Sequence, residues 1–308
     1  MSHRRLHSAD AMLLISVTVW GFNFTVAKYA LGHGFEPLSY AAPRFAIATI
    51  LFVVIAYLRE GDLRLERRDL RRVAFWGAVA IASNQVAFMW SFEFASASTV
   101  ALIFGTLPIF AGIFSQLLGV DRLGTRRWLA AAVSFSGVAL VALGAVGGLS
   151  ASLGGILLSL YAPASFALYS ITLAPLVRKY GTFRVNALAS LFCLPVLLAA
   201  AAPQLAQTDW GSIDGLAWAG LAYSALLAYA LTNLMWFVAV ARVGAARASV
   251  YANLQPFLGA VFALVLLSEE MGPLQWAGGA AIATGIVLGR VRSRRAAPAP
   301  ELAPAPHE

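Results

Sequence analysis

Four of the asparagines inside apolar stretches of this chain are Asn23, Asn84, Asn233 and Asn253. A side-chain amide carries donors and an acceptor, and in hydrocarbon it costs free energy unless something answers it. Three of these amides have aromatic or hydroxyl companions at helical spacing. Ser16, Trp20, Asn23 and Ala27 fall at i, i+4, i+7 and i+11, one face of a helix. Asn84, Phe88 and Ser91 share a second face, with Gln85 to one side. Tyr229, Thr232, Asn233 and Trp236 form a third stripe, and Tyr161, Ser165, Tyr169 and Thr172 form another without an amide. Stripes of this kind suit recognition: hydrogen bonds to a polar ligand and aromatic contact with its apolar part. A face turned to lipid would be aliphatic. The competing reading is polar packing between helices. The expected ligand-contacting set is Trp20, Asn23, Asn84, Phe88, Tyr161, Ser165, Tyr169, Tyr229, Asn233, Trp236 and Asn253.

Bond-making chemistry has little support. No Asp, Glu or His lies near the middle of an apolar stretch, and the histidines occur only at positions 3, 7, 33 and 307. There is no HExxH, no G-x-S-x-G and no Walker A loop, so no catalytic residue is expected. One cysteine, Cys193, excludes an internal disulfide and a multi-cysteine metal cluster. No metal or cofactor is expected. A coupling proton relay would ordinarily need a carboxylate or histidine within the membrane, and only Glu93 stands near an entrance.

The elements that hold these stripes follow from composition. Of 308 residues, 60% are hydrophobic and 12% charged, against about 25% charged in soluble domains. Such a chain cannot cover a water-facing surface. Ten apolar runs are long enough to cross a bilayer, near Ala9–Leu31, Pro37–Leu58, Leu70–Phe92, Ala97–Gly119, Trp128–Ala145, Leu153–Leu173, Phe183–Ala202, Leu216–Val240, Ala245–Leu267 and Leu274–Gly289. Their length argues for helices over barrel strands, which alternate apolar and polar over about 10 residues. The first run is too long for a signal-peptide core and is polar at Asn23 and Lys28. The fold class expected is all-α, a polytopic membrane protein.

The net charge of +8 is distributed by topology. Arg4 and Arg5, Arg59 to Arg72, Arg122 to Arg127, Arg178 to Arg184, Arg242 and Arg247, and Arg290 to Arg295 hold 20 of the 22 basic residues, all on one side of a ten-span chain. By the positive-inside rule both termini are expected in the cytoplasm. The basic surplus therefore points to lipid topology and not to nucleic acid. Lys28 and Arg44 are the two exceptions. Lys28 is expected to snorkel to the surface. Arg44 lies about 10 Å deep at the helical rise. It is expected to form a structural or gating pair with Glu93 or Glu36, the alternative being a substrate carboxylate. Trp76, Trp128, Trp218 and Trp276 are expected as interface anchors.

A shift of 148 residues lays the chain on itself. Pro108 falls on Pro256, Phe114 on Phe262, Trp128 on Trp276, Gly137 on Gly285 and Asp121 on Glu269, without a gap. The unit holds five spans, an odd number, so the second copy crosses in the opposite sense. Inverted repeats of this kind belong to carriers that alternate access to one central site. The boundaries expected are an N-terminal tail at 1–8, repeats at 9–145 and 153–290, and a Pro/Ala-rich disordered tail at 291–308. Pro108 and Pro256 are expected to kink their helices and serve as hinges. Gly285-x-x-x-Gly289 is expected to pack within the chain.

The pattern resembles the drug/metabolite transporter superfamily, specifically the EamA-type ten-helix permeases. The residues that carry the resemblance are Trp20-Gly21-x-Asn23-Phe24, Arg44-Phe45, Ala97-Ser98-x-x-Ala101 through Pro108, and Ala248-Ser249 through Pro256 followed by Ser268-Glu269-Glu270. The resemblance covers residues 9–290. It implies a permease of the bacterial inner membrane that exports or exchanges small metabolites, often amino acids. Its partners would be a small-molecule substrate and the bilayer, with the oligomeric state open and a monomer allowed. The rival readings are a membrane enzyme of lipid or acyl chemistry, disfavoured by the missing acid/base groups, and a scaffold or sensor.

Overall fold

The computed structural model describes residues 2–120, 124–144 and 148–290. The expected disordered tail at 291–308 and the Asp121 of the repeat lie outside them. The described residues form ten helical spans. We number them α1 (Ser2–Leu31), α2 (Pro37–Glu60), α3 (Arg67–Phe94), α4 (Ala97–Leu117), α5 (Thr125–Leu143), α6 (Gly148–Tyr180), α7 (Thr182–Gln207), α8 (Gly215–Val243), α9 (Ala245–Leu266) and α10 (Pro273–Arg290). Nine are long and apolar enough to cross a bilayer. The tenth, α10, has 18 residues and lies along α5. The backbone of 2–8, expected as a tail, continues α1.

Hydrocarbon cannot hydrogen-bond a backbone, so each span closes its own bonds and the ends need caps. Ser96 accepts from Thr99 N at the start of α4, and Asp214 accepts from Leu216 N at the start of α8. At α2, Glu36 and Ser39 form a reciprocal capping box. Gly61 ends that helix at φ 69°, a left-handed conformation that suits glycine.

The packing repeats with the sequence. Helix α1 packs on α8 and α9, and α6 packs on α3 and α4. Pairs α2·α7, α4·α9 and α5·α10 join the halves. Adding 148 to a residue number exchanges the first two sets and returns the last three to themselves, as a twofold relation between halves requires. The α5·α10 seam is backbone to backbone: a Cβ on Gly137 would stand 2.6 Å from Gly278 O. Gly285 abuts Ala130 and Ser134 of α5 in the same seam, so this small face is used within the chain.

Two features depart from smooth helices. Helix α3 holds a π-helical stretch at Gly77–Ile81, and α8 holds one at Ser224–Leu231. Under the 148 shift the first falls within the second. Helices α4 and α9 are also broken, not kinked. Segment α4a (Ala97–Phe104) stops at Gly105-Thr106 and α4b (Leu107–Leu117) restarts. Segment α9a (Ala245–Ala252) stops at Asn253-Leu254 and α9b (Gln255–Leu266) restarts. Pro108 and Pro256 each stand in the first turn of the restarted helix. There a missing N–H removes no intrahelical bond, so the expected mid-helix kink is replaced by a stop and a new start.

Candidate functional site

The polar side chains expected on separate stripes meet in one buried network. On α8, the Ser224 hydroxyl donates to Asn23 Oδ1 of α1 at 2.5 Å. Its lone pairs remain to accept from Tyr40 of α2, whose hydroxyl lies 2.6 Å away. Four residues further along α2, Arg44 sits with its guanidinium 5.9 Å from the Tyr40 ring centre. Arg44 Nη2 donates to Gln85 Oε1 of α3 at 2.5 Å. Gln85 Nε2 donates to Asn84 Oδ1 at 3.3 Å, and Asn84 Nδ2 donates to Ala162 O of α6 at 2.6 Å and to Ser165 Oγ at 3.2 Å. Five helices from both halves thus meet through hydrogen bonds and one cation–ring contact. Tyr40 and Ser224 are fully buried, and Asn23, Asn84, Arg44 and Ser165 nearly so.

One π-helical stretch contributes to this network and the other adjoins it. A π turn widens the helix and re-aims side chains and carbonyls, which is why it recurs at functional sites. In α8 it carries Ser224 and Tyr229, and its Ala228 carbonyl accepts from Trp20 Nε1 at 2.8 Å. The Trp20 and Trp236 rings stand 5.1 Å apart over it. In α3 the π stretch ends three residues before Asn84. Gly77 within it packs on the α7 backbone at Ala189, where any Cβ would collide.

Other expected contacts fall elsewhere. Tyr229 donates to or accepts from Ser190 of α7 at 2.8 Å and packs its ring on Phe45 and Phe52. Tyr169 is buried and donates to Asn186 Oδ1 at 2.8 Å. Phe88 joins Phe24, Phe92 and Phe104 in an edge-to-face cluster. Asn233 turns back on its own helix, donating to Tyr229 O. Asn253 stands at the break in α9. Tyr161 leaves the network altogether. It is 46% exposed, donates to Ser83, and lines an apolar groove of about 490 Å³ between α3, α6 and α7. A helix shows only one residue in three or four to a given side, and the side that Tyr161 takes is the outer one.

The two exceptional cations find backbone and amide partners. Lys28 Nζ donates to Phe92 O and, at 3.2 Å, to Ala95 O, at the end of the neighbouring span. It satisfies carbonyls at the C-terminal end of α3, where a cation is favoured. Among the described residues Arg44 has no acidic partner. The ion pairs of the described residues join Asp62, Glu66, Asp69, Glu60 and Asp10 to other cations. Glu36 is engaged in the cap of α2, and Glu93 is exposed. Arg44 is 6% exposed and its Nε has no hydrogen-bond partner among the described residues.

Comparison with known proteins places this arrangement. The EamA-like transporter family matches residues 7–143 and again 153–289. The chain belongs to the EamA-like transporter family. Its relatives run the length of both chains. A protein named "Probable terminal-alkyne amino-acid exporter" from Streptantibioticus cattleyicolor is 28% identical over 92% of this chain and 94% of its own. The "Uncharacterized inner membrane transporter YedA" of Escherichia coli K12 is 25% identical over 94% and 92%. An "Uncharacterized transporter" of Archaeoglobus fulgidus is 26% identical over 90% and 96%. A solved crystal structure superposes at a TM-score of 0.63, covers 92% of this chain and 96% of that one, and is 18% identical; it shows the shared fold. This EamA-like protein is a multi-pass membrane transporter, and the enzyme and scaffold readings find no support among its relatives.

The sequence pattern did not point to Tyr40, Gln85 and Ser224 as network members. The available signal for Tyr40 was its i, i+4 spacing to Arg44. Gln85 stood one residue from the Asn84 stripe, and only the π turn brings Ser224 round to face α1 and α2.

Proposed function

We propose that this EamA-like transporter exports a small polar metabolite from the cytoplasm by alternating access at the buried network of α1, α2, α3, α6 and α8. The observation that carries the reading is the unequal treatment of matched segments around that network. In α4a every residue from Ala97 to Ile103 is buried, whereas from Arg247 to Ala252 of α9a only Ala248 is. Segment α4a is covered and its counterpart α9a is not, and we take this inequality as one state of a two-state carrier. With the termini in the cytoplasm of an inner-membrane protein, α4a closes the outer face and the open face is cytoplasmic. The amino-acid exporter among the relatives favours an amino-acid-like substrate.

The test is flux from proteoliposomes loaded with a panel of labelled amino acids and small metabolites. Release that depends on the protein and saturates is the expected result. Trp20→Ala and Asn84→Ala should cut it about tenfold or more while leaving the protein in the membrane, since each removes a contact tying helices at the site. Full flux in both variants would make these residues packing groups and move the substrate path elsewhere. Cysteines introduced at Gln207 should label from outside, and cysteines at Asp62 only after permeabilisation; the reverse would invert the proposed direction.

A further inference from the structure

Resting on the transport reading, we infer that Arg44 is the carboxylate anchor of the substrate site, and that the transported molecule carries a carboxylate next to an uncharged body. An arginine keeps its proton under all ordinary conditions. Here it is buried beside Gln85 of α3 and the Tyr40 ring of its own helix; among the described residues no acid pairs with it and its Nε–H points at no acceptor. A buried charge of this kind is costly until an opposite charge arrives. The guanidinium presents a planar fork that fits a carboxylate through two parallel N–H bonds. Gln85 takes Nη2 at 2.5 Å, and the Nε–H beside it is left unanswered for a ligand.

The surroundings narrow the class further. Tyr40, Ser224, Asn23 and Asn84 offer hydroxyls and amides, with no second cation and no acid in the network. A dianion such as a phosphate ester would leave charge unanswered, whereas a monocarboxylate balances the site. Trp20 and Trp236 supply aromatic surface for an apolar body. The repeat offers no second copy: position 192, the partner of Arg44 under the 148 shift, is Phe192. A single orientation of the substrate follows.

The experiment compares N-acetyl-L-phenylalanine, N-acetyl-L-leucine and N-acetyl-L-alanine, which carry one carboxylate and no ammonium, with their carboxamides. Binding to purified protein is read by isothermal titration and flux by proteoliposome release. In the wild type at least one acid should bind about tenfold or more tighter than its amide, because only the acid brings a negative charge to answer the guanidinium. Arg44→Gln should bring that ratio to about one, and Arg44→Lys should hold it in between, keeping charge without the fork. A merely structural arginine predicts otherwise: Arg44→Gln would weaken acid and amide alike and leave the ratio unchanged. Equal or absent binding of acid and amide in the wild type overturns the anchor. If the acid is preferred in binding but nothing is released from proteoliposomes, the anchor stands and the carrier reading falls. Since Arg44→Gln could misfold, the wild-type acid-to-amide ratio decides the proposal without it.

Discussion

Segments α4a and α9a occupy matching places in the repeat, yet their surroundings differ. The span holding α4a has 56% of its central window buried, and the span holding α9a has 22%. At the start of α4a, Glu269 of the other half accepts from Ala97 N at 2.7 Å and Ser98 N at 2.9 Å, and Gln275 donates to Thr99 at 3.3 Å. The start of α9a follows Gly244, with no side-chain cap bond. A helix N-terminus has unanswered N–H groups and a partial positive charge. At α4a a carboxylate answers both, and it comes from the opposite repeat, so the cap also ties the halves together. The difference teaches that a duplicated sequence fixes two equivalent elements, while the cross-half contacts decide which of them is shut.

Breaking the cap should have the largest effect. Glu269→Ala removes two charge-assisted bonds, each worth about 1.5–3 kcal/mol, and the dipole term with them. A cysteine placed at Ser98, which is buried, should then react with a membrane-impermeant maleimide at least about tenfold faster. The native Cys193 is fully buried and should stay silent, so the single introduced thiol reports alone. An unchanged rate would mean that α4a is held by packing and the cap is incidental.

Gln275→Ala should act in the same direction and less. Gln275 is buried, accepting from Gly272 N at 2.9 Å and reaching Thr99 from α10. One neutral hydrogen bond is worth about 1 kcal/mol, a few-fold rise in labelling at Ser98. A fall would show that the α10 contact strains the closed face and does not hold it.

The limits of the sequence as a guide follow the same line. The ten spans were legible because about 20 apolar residues leave a bilayer helix little alternative. The repeat was legible because Pro, Trp and Gly are rare enough for a matched register to mean something. What stayed hidden was set by tertiary contact. The π stretches at Gly77–Ile81 and Ser224–Leu231 lie in sequence that serves an α-helix equally well. They arise where Gly77 meets α7 and where Ser224 must face both Asn23 and Tyr40. The outward turn of Tyr161 and the reach of Lys28 to the end of α3 are choices between faces of one helix, made by neighbours about 64 to 78 residues away in the chain. Arg44 is a case in between: its depth was readable, but the absence of an acid beside it was not.

The smallest effect, and the sharpest use of the comparison, belongs to the two prolines. Pro108 and Pro256 both open a restarted helix, yet Pro108 is exposed and Pro256 is buried. Proline in the first turn removes no helical bond there but prevents fusion with the preceding segment, since it has no N–H to offer the carbonyl four residues back. Alanine restores that donor and lets α4a join α4b, or α9a join α9b. A joined helix cannot bend at the break, so the segment loses one of its two positions. Because the halves are inverted, freezing α4 acts on one face and freezing α9 on the other. Pro108→Ala and Pro256→Ala should therefore shift the state distribution in opposite directions. The shift should be about two- to threefold, since restoring one neutral hydrogen bond is worth about 1 kcal/mol or less. Paired labelling reads it: the rate at a cysteine replacing Ser98 on α4a against the rate at one replacing Ser249, an exposed position on α9a that pairs with Ala101 in the repeat. Opposite signs would tie the breaks to alternation between faces. Equal signs, or no change with flux intact, would leave the prolines as packing features and the asymmetry of α4a and α9a to the Glu269 cap alone.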